Sequence, residues 1–371
     1  MTAPLTARAL GRALLARQHL LERSTLDAAA MVRHLVGLQA QAAPEPPYLG
    51  LLGRIEDFRP EQLTGLLERR EAVRIALQRG TIHLVTAEDC LTLRPLLQPL
   101  LDRQLRTTYA ARLPDLDLTD RAGDLAALGA RARPLVEAEP RTFQQLGPLL
   151  APAYPASEPA ALAQAARCAL PLVQVPPRGL WGRGGPAAHT TAEHWLGRPL
   201  EAAPDLDGLV LRYLAAFGPA TAADVQKWSG LTRLGPVLTR LGDRLVKLRD
   251  EYGRTLYDLP DAPRPEESVP APVRLLAPFD NLLLSHADRT RVLPEEYRSR
   301  VMTVNGIVLG TLLVDGLVAG SWKTEEGVLT VRPFAPLPRA ARQDAEAEGA
   351  RVLAFAGHDT GRVVLSAEAH G

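Results

Sequence analysis

The sequence predicts an α+β protein in which three helical units, each ending in a two-stranded hairpin, are followed by a β-rich C-terminal domain. Three observations support this prediction. Apolar residues recur at helical spacing through the first 260 residues. Each helical stretch there leads into short β-prone runs, which is the order of elements in a winged helix. Beyond a stretch with five prolines at 260–272, the pattern changes to strands joined by Asn-Gly and Asp-Gly turns.

The first unit is assigned to residues 1–115. Apolar spacing predicts helices over 5–21 and 59–70, and a helix that carries apolar residues from Leu26 to Leu38. Thr25 is placed to cap that second helix. Two β-prone runs, 72–77 and 81–85, are joined by Gln-Arg-Gly and predict the hairpin of this unit.

The second and third units are assigned to residues 116–203 and 204–262. The second combines helices over 142–150 and 160–169 with a strand at 172–175 and a glycine-rich wing at 176–186. The third has the clearest pattern, with helices over 206–216, 222–229 and 234–241 before strands at 245–249 and 255–259. A Tyr-Gly turn joins these two strands.

Residues 271–371 are predicted to form a small, barrel-like β-rich domain. Strands at 301–304, 307–313 and 317–321 are joined by Asn-Gly and Asp-Gly, both strong hairpin signals. A strand at 328–331, an Ala/Glu-rich helix at 339–349 and a last strand at 352–355 complete the domain.

The composition is that of an ordinary globular protein with two or three domains. The chain has 371 residues, 46% of them hydrophobic and 23% charged, with a formal net charge of +1. No apolar run reaches the roughly 18–20 residues of a membrane span, and the N-terminus lacks a signal-peptide pattern, so we expect a cytoplasmic protein. Cys90 and Cys168 are too few and too far apart for a disulfide framework or a zinc cluster. We therefore expect no metal and no cofactor.

The basic residues are unusual in kind, since 40 of the 43 are arginine. Codon bias in a GC-rich genome explains this, although phosphate contacts would also gain the bidentate fork of arginine. Common catalytic motifs are absent: the sequence has no GxGxxG after a strand, no Walker loop, no HExxH and no GxSxG. The glycine-rich stretch 179–185 lacks the Lys-Ser/Thr that would cradle a phosphate.

The segment 37–44 carries the first candidate site, Gln39 and Gln41. On a helix, residues i and i+2 point about 200° apart and cannot share a target, so the pair would be a solvated helix end. If the helix ends near Leu38, extended backbone places both amides on one face. Both interpretations are open at this point.

Two further polar segments are candidates. In 79–83, Thr81 and His83 share one strand face; the alternative is a wing with one half-buried histidine. In 279–291, an apolar run meets a polar, basic loop, and Asp280 either caps a turn or takes part in chemistry.

These segments occur in an order that resembles a bacterial family of winged-helix DNA glycosylases, and within it the AlkZ or azinomycin-resistance type. The family unhooks interstrand cross-links and removes bulky N7-alkylguanine adducts. Its AlkZ type carries Gln-aliphatic-Gln where the wider branch has Gln-aliphatic-Asp. The matching segments are 37–41 (GLQAQ), 79–83 (RGTIH), 218–230 (GPATAADVQKWSG) and 279–291.

The resemblance implies a C-shaped array of three winged helices and a β-barrel, with duplex DNA on the concave side. It makes Gln39 and Gln41 the catalytic pair of a monofunctional glycosylase that is expected to be monomeric and to act on alkylated guanine. A β-hairpin would probe the DNA near them, and 301–313 is our first choice for it. Contacts to DNA are expected from Arg79, Thr81 and His83 in the first hairpin, Arg233, Arg240 and Lys247 in the third unit, and Arg289 and Arg291 in the C-terminal domain.

The chemistry of the substrate explains how two amides could suffice. Alkylation at N7 makes guanine cationic, so the base leaves as a neutral species and the glycosidic bond is already weak. Positioning and modest electrostatic help then replace proton transfer. Two other classes are kept open: a non-enzymatic winged-helix transcription regulator, and a protein that uses the repeats to dock partners.

Overall fold

The computed structural model describes residues 4–41 and 44–366. Its N-terminal part consists of α1 (Ala7–Arg17), α2 (Ala28–His34), β1 (Leu38–Gln39), α3 (Glu45–Leu52), α4 (Pro60–Glu68), β2 (Ala72–Ala76), β3 (Ile82–Thr86), α5 (Ala87–Leu96) and α6 (Gln98–Tyr109). The middle part consists of α7 (Asp124–Ala138), α8 (Phe143–Leu150), α9 (Pro159–Ala169), β4 (Leu172–Gln174), β5 (His189–Thr191), α10 (Ala192–Leu196), α11 (Leu206–Phe217), α12 (Ala222–Ser229), α13 (Gly235–Arg240), β6 (Val246–Arg249) and β7 (Thr255–Asp258). The C-terminal part consists of β8 (Arg274–Leu276), α14 (Arg298–Val301), β9 (Gly310–Val314), β10 (Leu317–Glu325), β11 (Val328–Pro333), α15 (Arg339–Phe355) and β12 (Arg362–Leu365).

The first sheet joins strands from the first two predicted units. Its order is β1-β3-β2-β4-β5, and every neighbouring pair is antiparallel. The β2–β3 hairpin and the β4–β5 wing meet where Arg74 pairs with Gln174. This sheet therefore continues across the predicted boundary between residues 115 and 116. The unit boundaries stay a prediction.

The second sheet has the order β12-β11-β10-β9-β8, with β8 and β12 at its two edges. Since these edge strands do not pair with each other, the sheet is open and the barrel predicted for residues 271–371 is wrong. Helix α15 lies against β8, β11 and β12. The second sheet packs against this helix and stays open.

Helix α2 is shorter than predicted, and the difference decides the geometry of the candidate site. Asp27, not Thr25, caps it by accepting from the Ala30 amide at 2.7 Å. The helix ends at His34 because Val36 and Gly37 have φ of 54° and 93°, in the left-handed region. A Cβ on Gly37 would lie 2.6 Å from Val85 Cγ1, so only glycine fits this turn.

Two C-terminal predictions are also wrong. Residues 352–355 are the last turn of α15, because the helix-favouring composition continues to Gly357, whose φ of 78° ends it. The last strand is β12, ten residues later. Residues 301–304 form no strand, since α14 ends at Val301 and only a single bridge, Met302 to Val308, follows.

The helices and hairpin of the third predicted unit are present as expected. Thr221 and Asp224 form a capping box at the start of α12, and β6 pairs with β7 around Tyr252 and Gly253. Buried ion pairs attach distant parts of the chain: Arg17 binds Asp258 at 2.7 Å, and Arg54 binds Asp280 at 2.8 Å. In the described part of the chain, no helix is long and apolar enough to cross a membrane.

Candidate active site

Gln39 and Gln41 lie on extended backbone, as one of the two sequence interpretations required. Leu38 and Gln39 pair with Leu84 and His83 of β3, and the Ala40 amide donates to the Ile82 carbonyl at 2.8 Å. Ala40 is completely buried, whereas Gln39 keeps 7% of its surface exposed and Gln41 is partly exposed. The two amides therefore alternate with a core residue. Positions 42 and 43 of this segment lie outside the described residues.

Arg79 holds the Gln39 side chain. It occupies the turn between β2 and β3 with a φ of 57°. Its Nη2 donates to Gln39 Oε1 at 2.7 Å and to Asn281 Oδ1 at 2.8 Å, while its Nη1 donates to the Trp228 carbonyl at 2.9 Å. One guanidinium thus links the first hairpin to the end of α12 and to the segment after β8.

His83 lies next to the Arg79 guanidinium and is completely buried. Its Nδ1 is 3.1 Å from the Thr81 carbonyl, so it carries the hydrogen, and its Nε2 lies 3.5 Å from Arg79 Nη2. Burial, and next the charge of Arg79, lower the pKa of His83 to about 3. The ring is therefore neutral at physiological pH and adds no second positive charge.

Asp280 precedes Asn281, which contacts Arg79, and its carboxylate is paired with Arg54. Both its carboxylate oxygens accept from Arg54 at 2.8 Å, and one also accepts from the Leu282 amide. The next residue, Asn281, donates to the Gly37 carbonyl at 3.3 Å while accepting from Arg79. This ion pair anchors Asn281 against the turn that precedes β1, which agrees with the capping interpretation of Asp280.

A cluster of positive side chains lies beside this network. Arg289 and Arg298 contribute to it from the C-terminal part, and Lys227 from α12. The pKa of Lys227 is lowered by burial first and then by Arg289, Arg79 and Arg298. Burial and Arg298 likewise lower the pKa of Arg289. Among the described residues, Glu295 is the carboxylate paired with this group, at 3.1 Å from Arg298.

Comparison with known proteins identifies the family. The model of the AlkZ-like DNA glycosylase family matches residues 32–355. The chain belongs to this family. An interstrand DNA cross-link repair glycosylase from Streptomyces sahachiroi is 33% identical over 168 residues, which cover 43% of this chain and 44% of that relative. The matched stretch therefore spans less than half the length of the relative.

The fold agrees with a solved member of the AlkZ-like family. The structure of the Streptomyces sahachiroi DNA glycosylase AlkZ superposes with a TM-score of 0.77, at 21% identity, over 99% of this chain and all of that one. At this identity the likeness establishes the shared α+β fold and not the reaction.

In this AlkZ-like chain the structure places three of the predicted DNA contacts inside the protein or on protein partners. His83 is completely buried, and Arg291 is 5% exposed with its Nη1 on the Pro219 carbonyl at 2.9 Å. Burial lowers the pKa of Arg291. Arg79 is partly buried, and its guanidinium donates to the Trp228 carbonyl and to Gln39 Oε1, so it contacts protein atoms.

The other predicted contacts remain available on the surface. Arg233 and Lys247 are exposed, Arg289 and Thr81 are partly exposed, and Arg240 is exposed but paired with Asp207. Sequence analysis missed Lys227, Arg298 and Asn281. Two signals were present, because Lys227 lies in 218–230 and Asn281 in 279–291, both segments that matched the family.

No group of three His, Cys, Asp or Glu side chains in residues 4–41 and 44–366 could hold a metal. Cys90 and Cys168 are both buried and unpaired. Burial raises the pKa of Cys90 to about 12, so its thiol is not a reactive nucleophile.

Proposed function

We propose that this chain is a DNA glycosylase that hydrolyses the N-glycosidic bond of N7-alkylguanine, including bulky adducts and interstrand cross-links. The observation that carries the proposal is that the described partners of Gln39 include no carboxylate. Gln39 contacts Arg79, and Arg79 contacts Asn281 and His83. Described residues that offer no carboxylate as general base suit a bond that is already weak.

The reaction needs little from the protein beyond positioning. Water adds to C1′ while the C1′–N9 bond breaks, and the bonding electrons neutralise the cationic N7-alkylguanine as it leaves. The proton of the water goes to solvent, and an abasic deoxyribose remains. An amide carbonyl can orient the water or face the positive charge that develops on the sugar.

The positive cluster supports duplex DNA as the partner. Lys227, Arg289 and Arg298 lie next to the network that holds Gln39, and Glu295 balances only part of their charge, so a DNA backbone would supply further negative charge there. Arg233 and Lys247 extend the proposed contacts along the third unit. The proposal requires no cofactor and takes the protein to act as a cytoplasmic monomer.

The test is direct excision from a defined substrate. We expect the purified protein to release N7-methylguanine from duplex DNA and to leave abasic sites that break on heating in alkali. The undamaged duplex and the protein with both Gln39→Ala and Gln41→Ala are the controls. Binding of DNA without release of base would instead indicate the non-enzymatic regulator.

Two further substrates define the reaction. A duplex whose strands are joined through guanine N7 should be separated into single strands, because a cross-linked base can be reached without being rotated into a closed pocket. Borohydride should trap no protein–DNA adduct, since a monofunctional enzyme forms no Schiff base. An adduct that disappears in Lys227→Arg would show lyase activity instead.

A further inference from the structure

The network around Gln39 settles which end of its amide faces inward. Arg79 has only donors, so the atom that its Nη2 approaches at 2.7 Å is the carbonyl oxygen of Gln39. The same reasoning orients Asn281, whose oxygen accepts from Arg79 and whose nitrogen donates to the Gly37 carbonyl. In the described part of the chain, no protein acceptor lies within hydrogen-bond distance of Gln39 Nε2.

The position of Arg79 is itself held from several sides. Trp228, Asn281 and Gln39 each accept one of its hydrogens, at 2.7–2.9 Å. Its φ of 57° places it in a backbone region that an arginine adopts only when the surroundings determine it. Burial lowers the pKa of Arg79 to about 10, and it stays charged at neutral pH. A partly buried cation without a carboxylate partner is costly, which argues for a role beyond folding.

We propose that Arg79 is a positioning residue that holds the carbonyl of Gln39 and thereby presents the amide N–H2 of Gln39 to the bound DNA as a hydrogen-bond donor. The inference rests on the proposed glycosylase function. The inference gives the two amides different roles in the proposed reaction. The carbonyl of Gln39 is occupied by a charged donor, which also polarises its N–H bonds.

Gln41 is held much more loosely. Its Oε1 lies 3.4 Å from the Ile82 amide, a distance at which a hydrogen bond is weak, and this is the contact that the described residues give it. Its carbonyl is therefore free to turn toward water or the sugar when DNA is bound. In this arrangement Gln39 supplies a donor and Gln41 supplies the acceptor.

Exchanging each amide for the isosteric carboxylate separates these roles. Gln39→Glu keeps an oxygen on Arg79 but loses the N–H2 group, so single-turnover excision of N7-methylguanine should fall about as far as in Gln39→Ala. Gln41→Glu keeps an acceptor and should lose at least tenfold less activity than Gln39→Glu. The reverse order, with Gln39→Glu the more active, would overturn the assignment.

The position of Arg79 is tested by a second pair of variants. Arg79→Met should lower the excision rate about tenfold or more while DNA affinity stays within about threefold. Adding methylguanidinium should restore part of that rate, which a loss of fold would not allow. Arg94→Met is the matched control, because buried Arg94 also donates only to neutral acceptors, including the Cys168 carbonyl at 3.0 Å, and lies outside the site.

A measurement without DNA keeps the inference separate from the proposed function. If Arg79 faces residue 39, Gln39→Glu gains an ion pair and should raise the melting temperature by about 2 °C. In the Arg79→Met background the same substitution should give no rise. If the melting temperature rises only in the presence of Arg79 while the wild type releases no base, only the proposed function fails. An equal shift with Arg79 and in the Arg79→Met background would overturn the positioning role of Arg79.

Discussion

At Gln39 and Gln41 the chain offers neutral amides where a carboxylate would be expected for hydrolysis. Both side chains keep the same charge between pH 5 and 9, so in the proposed reaction neither would gain or lose a proton. Their contribution there would come from preorganised polar contacts. The size of that contribution is what substitution measures.

Gln39→Ala or Gln41→Ala should reduce single-turnover excision by about 10–10³-fold, because one preorganised contact is worth no more than about 3–4 kcal/mol. DNA affinity should stay within about a factor of three. The double variant should lose less than the sum of the two if the pair positions one water. Gln41→Asp should retain excision of simple N7-alkyl lesions, because a carboxylate can stabilise the sugar cation. Full excision rates in both alanine variants would place the chemistry elsewhere.

Buried neutral histidines make stability depend on pH. The pKa values of His83 and His189 are lowered to about 3 and about 4 by burial. An unfolded chain takes up these protons near pH 6.5, and the folded chain does not. The stabilisation is therefore complete above about pH 6.5 and is lost as the pH falls toward 4. At pH 5.5 each histidine should cost on the order of 1 kcal/mol of unfolding free energy.

Urea unfolding at pH 7.5 and 5.5 measures this loss. His189→Gln should reduce the pH dependence by the share of one histidine, because the buried Nε2 of His189 has no partner in the structure and is the atom that protonation would charge. His358→Gln, on the exposed surface, should leave the dependence as it is. A stability that rises toward pH 5.5 would contradict the assignment of these rings as neutral.

Sequence analysis could place the two glutamines together but could not find what holds them. The alternation rule for extended chain depends only on local conformation, so Gln39 and Gln41 were accessible to it. The role of Arg79 depends on Asn281, 202 residues further along, and on the Trp228 carbonyl. The family resemblance placed Arg79 among the DNA contacts, and nothing local in the sequence shows that its donors are already used.

At the scale of elements, the boundaries that failed are those set by single backbone positions. The end of α2 depends on Val36 in the left-handed region, which a β-branched residue rarely adopts and which no pattern predicts. The end of α15 depends on Gly357, while the preceding residues favour helix throughout. Hairpins with Tyr-Gly and Asp-Gly turns were placed correctly, because the turn chemistry is local.

The segment proposed to probe DNA, 301–313, forms a short turn with an exposed apolar tip. Val304 is fully exposed and Ile307 is 46% exposed. Thr303 and Ile307 close the turn with a backbone hydrogen bond at 2.9 Å, and Gly306 has a φ of 77°. An apolar tip of this kind is suited to enter the base stack of a duplex.

Val304→Asp should therefore lower excision from duplex DNA about tenfold, corresponding to ~1.4 kcal/mol. The melting temperature should not change, since the side chain contacts nothing that stabilises the fold. Leu149→Asp is the control, because Leu149 is an apolar residue on α8 that is 46% exposed, as Ile307 is. Equal excision by both variants and the wild type would exclude this turn as the probe.

At the scale of the whole molecule, distant parts of the chain are attached by buried arginines. Arg17 and Asp258 are 241 residues apart, and Arg54 and Asp280 are 226 apart, yet both pairs are almost completely buried. In each pair the two carboxylate oxygens receive separate guanidinium donors. These arginines are internal, so the 40 arginines of the chain do not form one DNA-binding surface.

DNA affinity should accordingly depend on a few local cations, and the salt dependence of binding measures how many. Each phosphate contact contributes about 0.9 to the slope of log K against log salt. Lys227→Ala and Arg289→Ala should each lower that slope by about 1 and weaken binding to all sequences alike. Arg69→Ala is the matched control, because exposed Arg69 is already paired with Glu71 at 2.9 Å. Arg291→Ala should lower stability instead, since its guanidinium is buried. Unchanged slopes in the Lys227 and Arg289 variants would show that the DNA backbone lies on another face.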